Sequence, residues 1–117
     1  MKEPSPSHPI TITPHPNRVR VELGGRVIAE TWDALELREA RYDPVLYIPR
    51  EDIAADMLVP NPRRTYCPYK GEAFYFDVAA GRETRAAAWS YENPFPAVAQ
   101  IRGHVAFYPD RVDIIEA

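Results

Sequence analysis

Between Arg63 and Gly71 the chain sets a thiol, two phenols and an ammonium side by side, directly after two arginines: Arg63-Arg64-Thr65-Tyr66-Cys67-Pro68-Tyr69-Lys70-Gly71. Positive charge near a thiol stabilises the thiolate, its nucleophilic form, so Cys67 is a candidate nucleophile or redox-sensitive group. A partly desolvated lysine beside aromatic rings can act as a base, form a Schiff base or hold an anion, which makes Lys70 a second candidate. Each has a plainer reading. A free cysteine commonly behaves as a small buried hydrophobe, and Lys70 can simply pair with Glu72 or Glu39. Cys67 and Lys70 are the candidate catalytic residues.

Rings gather around the same stretch. Trp89 and Tyr91 fall on one face of an expected strand, with Tyr47, Tyr66, Tyr69 and Tyr75 on neighbouring segments. Aromatic side chains with polar tips line small-ligand pockets, and they also fill the cores of small β domains. The candidate ligand-binding set is Tyr47, Arg63, Tyr66, Tyr69, Trp89 and Tyr91. Of the 14 basic residues only Lys2 and Lys70 are lysines, so Lys70 is a rarer choice than any arginine. Arg50, Arg63, Arg64 and Lys70 read as a local basic patch for phosphate or carboxylate. Basic groups interleaved with tyrosines also suit single-stranded nucleic acid, but the patch is short and the net charge is −3, which argues against that partner.

Familiar catalytic and metal signatures are missing. One cysteine excludes an internal disulfide framework and a four-cysteine zinc site. His8 and His15 flank prolines near the N-terminus, His104 stands alone, and no histidine pair has ligand spacing. Neither a glycine-rich phosphate loop nor a nucleophile elbow occurs. No metal and no cofactor are expected.

The elements that must position these groups are short. The chain has 117 residues, 45% hydrophobic and 26% charged, with 13 prolines. Prolines that frequent break helices and favour brief strands joined by tight turns. No apolar run approaches the roughly 18 residues of a bilayer span, and no signal pattern opens the chain. A cytoplasmic protein without membrane contact is expected.

Residues 1–9, rich in proline, serine and charge, read as a flexible tail before one β-rich domain over 10–117. Strands are expected at Ile10–Thr13, Arg18–Leu23, Arg26–Thr31, Ala34–Arg38, Val45–Ile48, Glu72–Val78 and Thr84–Tyr91. A last hairpin of Val105–Tyr108 and Arg111–Ile115 is expected across Pro109-Asp110. Gly24-Gly25 and Ala80-Gly81 read as turns. At Gly24-Gly25 a two-residue loop would set Arg26 opposite Leu23 and Ile28 opposite Val21. A three-residue loop would set Val27 opposite Leu23 and Ala29 opposite Val21; it is preferred because it keeps Arg26 off the core face. Arg50–Met57 reads as a short helical turn ended by Pro60 and Pro62, and Asn93–Arg102 as one short capped helix.

Several stretches, in order, resemble domain of unknown function family 427: Leu37-Arg38-Glu39, Tyr47-Ile48-Pro49-Arg50-Glu51-Asp52, Thr65-Tyr66-Cys67-Pro68-Tyr69-Lys70-Gly71, Trp89-Ser90-Tyr91 and Val105-Ala106-Phe107-Tyr108. The resemblance covers everything after about Val19 and implies no activity. It implies a mainly β fold like the β-tent group, two small antiparallel sheets packed at an angle with one or two short helices. Many members of that group hold zinc on paired Cys-x-x-Cys knuckles. Here Lys70 stands where the second cysteine of a knuckle would be, and no second knuckle exists.

Together the residues favour a domain that binds a small anionic molecule in an aromatic-lined pocket beside Thr65–Gly71. Lys70 and an arginine would supply the counter-charge. An enzyme using Cys67 or Lys70 as nucleophile or base is the alternative, and a protein-interaction module exposing a sheet edge is another.

Overall fold

Val19, Val21 and Leu23 are buried while Arg20 and Glu22 between them reach solvent, so alternation alone makes Val19–Leu23 a strand with one core face. The computed structural model describes residues 1–80 and 83–117. A seven-stranded antiparallel sheet has the order β1 (Ile10–Pro14), β4 (Leu35–Glu39), β5 (Val45–Pro49), β9 (His104–Phe107), β8 (Glu83–Ser90), β7 (Gly71–Ala79), β6 (Leu58–Cys67). A three-stranded sheet joins β10 (Asp113–Glu116), β2 (Val19–Leu23) and β3 (Arg26–Thr31). The chain is therefore mainly β, built from two antiparallel sheets of unequal size.

The small sheet covers one face of the large one. Val19, Val21, Leu23, Ile28 and Ala29 pack there with Ile48, Phe76, Val78, Val105 and Phe107. The opposite face carries Leu37, Tyr47, Ala73, Tyr75, Tyr91 and Ala106, closed over by Val98 and Ile101. Strand β7 serves both layers, Phe76 and Val78 facing one and Ala73 and Tyr75 the other. Each fully buried side chain of this size contributes roughly 1.5–3 kcal/mol. The second layer is rich in tyrosine, and a phenol in a core needs a polar partner or an opening. That is where the candidate site lies.

Several elements depart from the sequence reading, each for a local reason. The Gly24-Gly25 loop has two residues, with Leu23 opposite Arg26, yet Val21 still faces Ala29 because a bulge falls between Val21 and Glu22. The bulge places Ile28 and Ala29, neighbours in sequence, both in the core and leaves Val27 exposed. Pro60 and Pro62 do not end the ordered region but lie inside the ten-residue β6. Proline is tolerated there because β6 is the sheet edge and its register shifts between Asn61 and Arg64.

The buried Asp77 carboxylate holds that irregularity in place. Its Oδ1 accepts from Asn61 Nδ2 at 2.8 Å and from the backbone N–H of Ala86 at 2.8 Å. Ala86, at φ 49°, is the left-handed residue of a matching irregularity in β8. One carboxylate thus fastens the strands on both sides of β7.

Neither expected helix is a single helix. Arg50–Asp52 and Ala55–Met57 are separate 3-10 turns, and Pro96–Ile101 is a 3-10 segment kinked at Val98 with no side-chain cap from Asn93. Pro94 and Pro96 remove two backbone N–H groups from the Asn93–Arg102 stretch, which works against a regular α-helix there. The final hairpin is also corrected. Although Arg111 N–H donates to the Tyr108 carbonyl at 3.0 Å, β9 pairs with β5 and β8, whereas β10 crosses to pair with β2. Val112, buried in the core, anchors the crossing. Of the expected Ala80-Gly81 turn, Gly81 lies outside the described residues.

Candidate functional site

The turn from Cys67 to Gly71 joins the edge strand β6 to β7 and aims Lys70 inward. Inside the turn, Lys70 N–H donates to the Cys67 carbonyl at 3.2 Å, and the Lys70 carbonyl accepts from Phe95 N–H at 3.0 Å. Gly71 follows at φ 111°, where a Cβ would stand 3.4 Å from the Asn93 carbonyl oxygen. Only glycine meets both demands comfortably. From the other side, Lys2 N–H donates to the Pro68 carbonyl at 2.7 Å. The turn is held at both flanks.

So positioned, Lys70 is 8% exposed, unusual for a lysine. Its ammonium pairs with Glu39 at the end of β4 and stands 6.0 Å from the centre of the Tyr91 ring. His8 Nε2 meets the other Glu39 oxygen at 2.8 Å, and the His8 ring stacks on Tyr69 at 3.9 Å with planes 7° apart. Burial alone would raise the Glu39 carboxyl, but the hydrogen bonds from Lys70 and His8 outweigh it and hold the group below the usual carboxylate range.

Beside this cluster a cavity of about 190 Å³ opens between β4, β5, β7 and β8, lined among others by Glu39, Asp43, Tyr47, Lys70, Trp89, Tyr91 and Tyr108. Trp89 Nε1 donates to the Tyr47 hydroxyl at 3.4 Å, and the two rings meet edge to face at 6.4 Å. Trp89 and Tyr108 lie 4.4 Å apart. Burial raises the Tyr47 and Tyr91 phenols well above their ordinary value, and burial with a hydrogen bond to Tyr75 pushes Tyr108 up to about 12. These hydroxyls are neutral donors over the whole physiological range.

Of the candidate residues, Tyr47, Lys70, Trp89 and Tyr91 converge on this cavity. Cys67 is half-buried beside the second hydrophobic layer and does not line it. Arg63 lies over the Tyr75 ring at 4.8 Å. Arg64 lies over Phe74 at 4.2 Å, and its Nη1 donates to the carbonyls of Asn61 and Arg63. Tyr69 stacks on His8 outside the lining, and Tyr66 is 62% exposed with its ring edge against Phe95. The expected patch of Arg50, Arg63, Arg64 and Lys70 is thus divided between the two faces of the sheet. Residues the sequence reading did not place in the site are His8, Asp43 and Tyr108. Glu39 stood only as one possible partner of Lys70.

A knuckle zinc does not fit these residues. The position that a second cysteine would need holds an ammonium paired with Glu39, and no three His, Cys, Asp or Glu side chains among the described residues are grouped to hold a metal ion. No described helix is long and apolar enough to cross a membrane.

An antiparallel two-sheet domain with a tyrosine-lined cavity over a buried Lys–Glu pair is the class that fold and site define. The chain belongs to the family described as a domain of unknown function, DUF427, whose model matches residues 11–117. No curated protein matches the chain.

Proposed function

We propose that the domain binds a small anionic molecule in the cavity between Glu39, Lys70 and Tyr91. One observation carries this. The Lys70 ammonium has three N–H donors and, among the described residues, one acceptor, Glu39. A buried donor without an acceptor is costly, so the remaining N–H groups call for an oxygen from the cavity side. A carboxylate or phosphate oxygen meets that need, and Tyr47, Trp89 and Tyr91 supply the walls.

The flanking carboxylates narrow the ligand. Glu39 already offsets the charge of Lys70, and Asp43 adds another negative group to the lining. A purely anionic molecule is poorly matched there. One that also carries an amino or hydroxyl donor meets both signs, as small amino and hydroxy acids do. A cavity of about 190 Å³ equals roughly six water volumes and falls below the usual 300–1,000 Å³ of drug-sized sites. Ligands of this size fit; a polymer does not. Calorimetric titration with a panel of small amino and hydroxy carboxylates tests the reading. Saturable binding by some members, abolished by Lys70→Met, is expected. No binding across the panel, or binding indifferent to Lys70→Met, refutes it.

A further inference from the structure

Phe74 and Phe76 project from the face of β7 opposite the tyrosine cavity, where the small sheet covers Phe76 but leaves Phe74 half-exposed. Arg64, directly across from Phe74 on β6, holds its guanidinium 4.2 Å from that ring's centre. Arg50, from the 3-10 turn after β5, lies 4.7 Å from the centre of Phe76. Both border a groove of about 280 Å³ with Asn61 and Glu92. Stacking occupies the flat face of a guanidinium and leaves its in-plane N–H fork available. Arg64 commits Nη1 to two carbonyls. The Arg50 guanidinium has no hydrogen-bond or ion-pair partner among the described residues. The groove's acid, Glu92, is engaged by Ser90 Oγ at 2.5 Å.

We infer that this groove is a second binding site, one for a phosphate monoester attached to a planar body. The free fork of Arg50 and the Nε–Nη2 edge of Arg64 offer two donor edges, which the three terminal oxygens of a phosphate monoester engage together better than the two of a carboxylate. The exposed outer face of the Arg64 guanidinium, whose inner face lies on Phe74, supplies a platform for the planar part. The groove is independent of Lys70, which lies on the other side of the sheet, and its size admits a small aryl phosphate.

Titration of the full chain with phenyl phosphate at fixed ionic strength, followed by amide and arginine Nε–H NMR shifts, tests the inference. Saturable shifts confined to residues 60–64 and 74–76 and to the side chains of Arg50 and Arg64 are expected. Arg50→Met and Arg64→Met should each weaken binding about tenfold, the loss of one charge-assisted contact, while Lys70→Met leaves it unchanged. Arg50→Lys keeps the charge but not the fork, and should bind more weakly than the parent. Absence of saturation, equal shifts from neutral phenol, or affinity unchanged in both methionine variants overturns it. Because Arg50 and Arg64 are exposed, the variants should keep the parent spectrum elsewhere.

Discussion

His8 lies flat on Tyr69, ring centres 3.9 Å apart, and the same imidazole reaches the Glu39 carboxylate through Nε2 at 2.8 Å. One histidine near the N-terminus thus touches both the turn that presents Lys70 and the carboxylate that pairs with it. With Lys2 on Pro68, and with Ser5 and His8 exchanging backbone hydrogen bonds at 3.2 and 2.9 Å, residues 2–8 make specific contacts with the site's outer wall.

Those contacts carry energy. A stacked ring pair contributes about 0.5–1.5 kcal/mol beyond burial, and a hydrogen bond to a charged group about 1.5–3 kcal/mol. His8→Ala should therefore lower stability by roughly 1–3 kcal/mol in urea denaturation. Deletion of residues 1–9 should cost at least as much. A variant as stable as the parent would show these contacts to be energetically idle.

Were Lys70 outside the core, its loss would change stability by no more than ~0.5 kcal/mol. Its burial against Glu39 changes that figure. With the side chains of Lys70 and Glu39 only 10% and 12% exposed, removing one partner strands the other charge. Lys70→Met should cost roughly 2–4 kcal/mol, near the range for a broken buried pair. Adding Glu39→Gln should recover part of the loss, because the stranded carboxylate is gone. A double variant whose loss equals the sum of the singles would mean that the pair is not coupled.

The pair also sets an acid limit. The folded Glu39 carboxyl is held below its unfolded value of about 4.3. Its contribution is therefore present above that pH and disappears as pH falls through the lower folded value. Stability of the parent should drop more steeply below about pH 4.3 than that of Glu39→Gln. Parallel curves for the two would remove Glu39 from the acid response.

The strands with clean alternation were legible because period-two burial leaves a direct trace, as in Val19–Leu23 and the β7–β8 pair that brings Tyr75 opposite Trp89. Strand β6 was hidden because its two prolines resemble an interruption, and their tolerance depends on an edge position that no local pattern encodes. The two sheets of β9 and β10 were hidden for a related reason: a tight turn at Pro109-Asp110 is the same whether the chain folds back on its neighbour or crosses away. At the site, Lys70 and the aromatic wall were visible through residue type and the hairpin that unites them. His8 was obscure, and Glu39 stood only beside Glu72 as a partner for Lys70, because each lies 31 residues or more from its partners and an ion pair between distant groups has no periodicity to betray it.

The last prediction concerns the tyrosines. Tyr47, Tyr91 and Tyr108 have phenols raised above the ordinary value of about 10, in each case mainly through burial. A raised folded value means that the native state disfavours the phenolate, so the stabilisation is complete below the unfolded pKa and is lost as pH climbs toward the folded one. Stability should therefore begin to fall near pH 10. Absorbance at the phenolate band should then rise for the cavity tyrosines only together with the loss of near-ultraviolet circular dichroism that marks unfolding. Tyr91→Phe should shift that joint step to higher pH, because one ionisable group that drives it has been removed. A single smooth titration of all seven tyrosines with the fold intact would mean that solvent reaches the cavity freely, and the buried, neutral wall described around Lys70 would have to be abandoned.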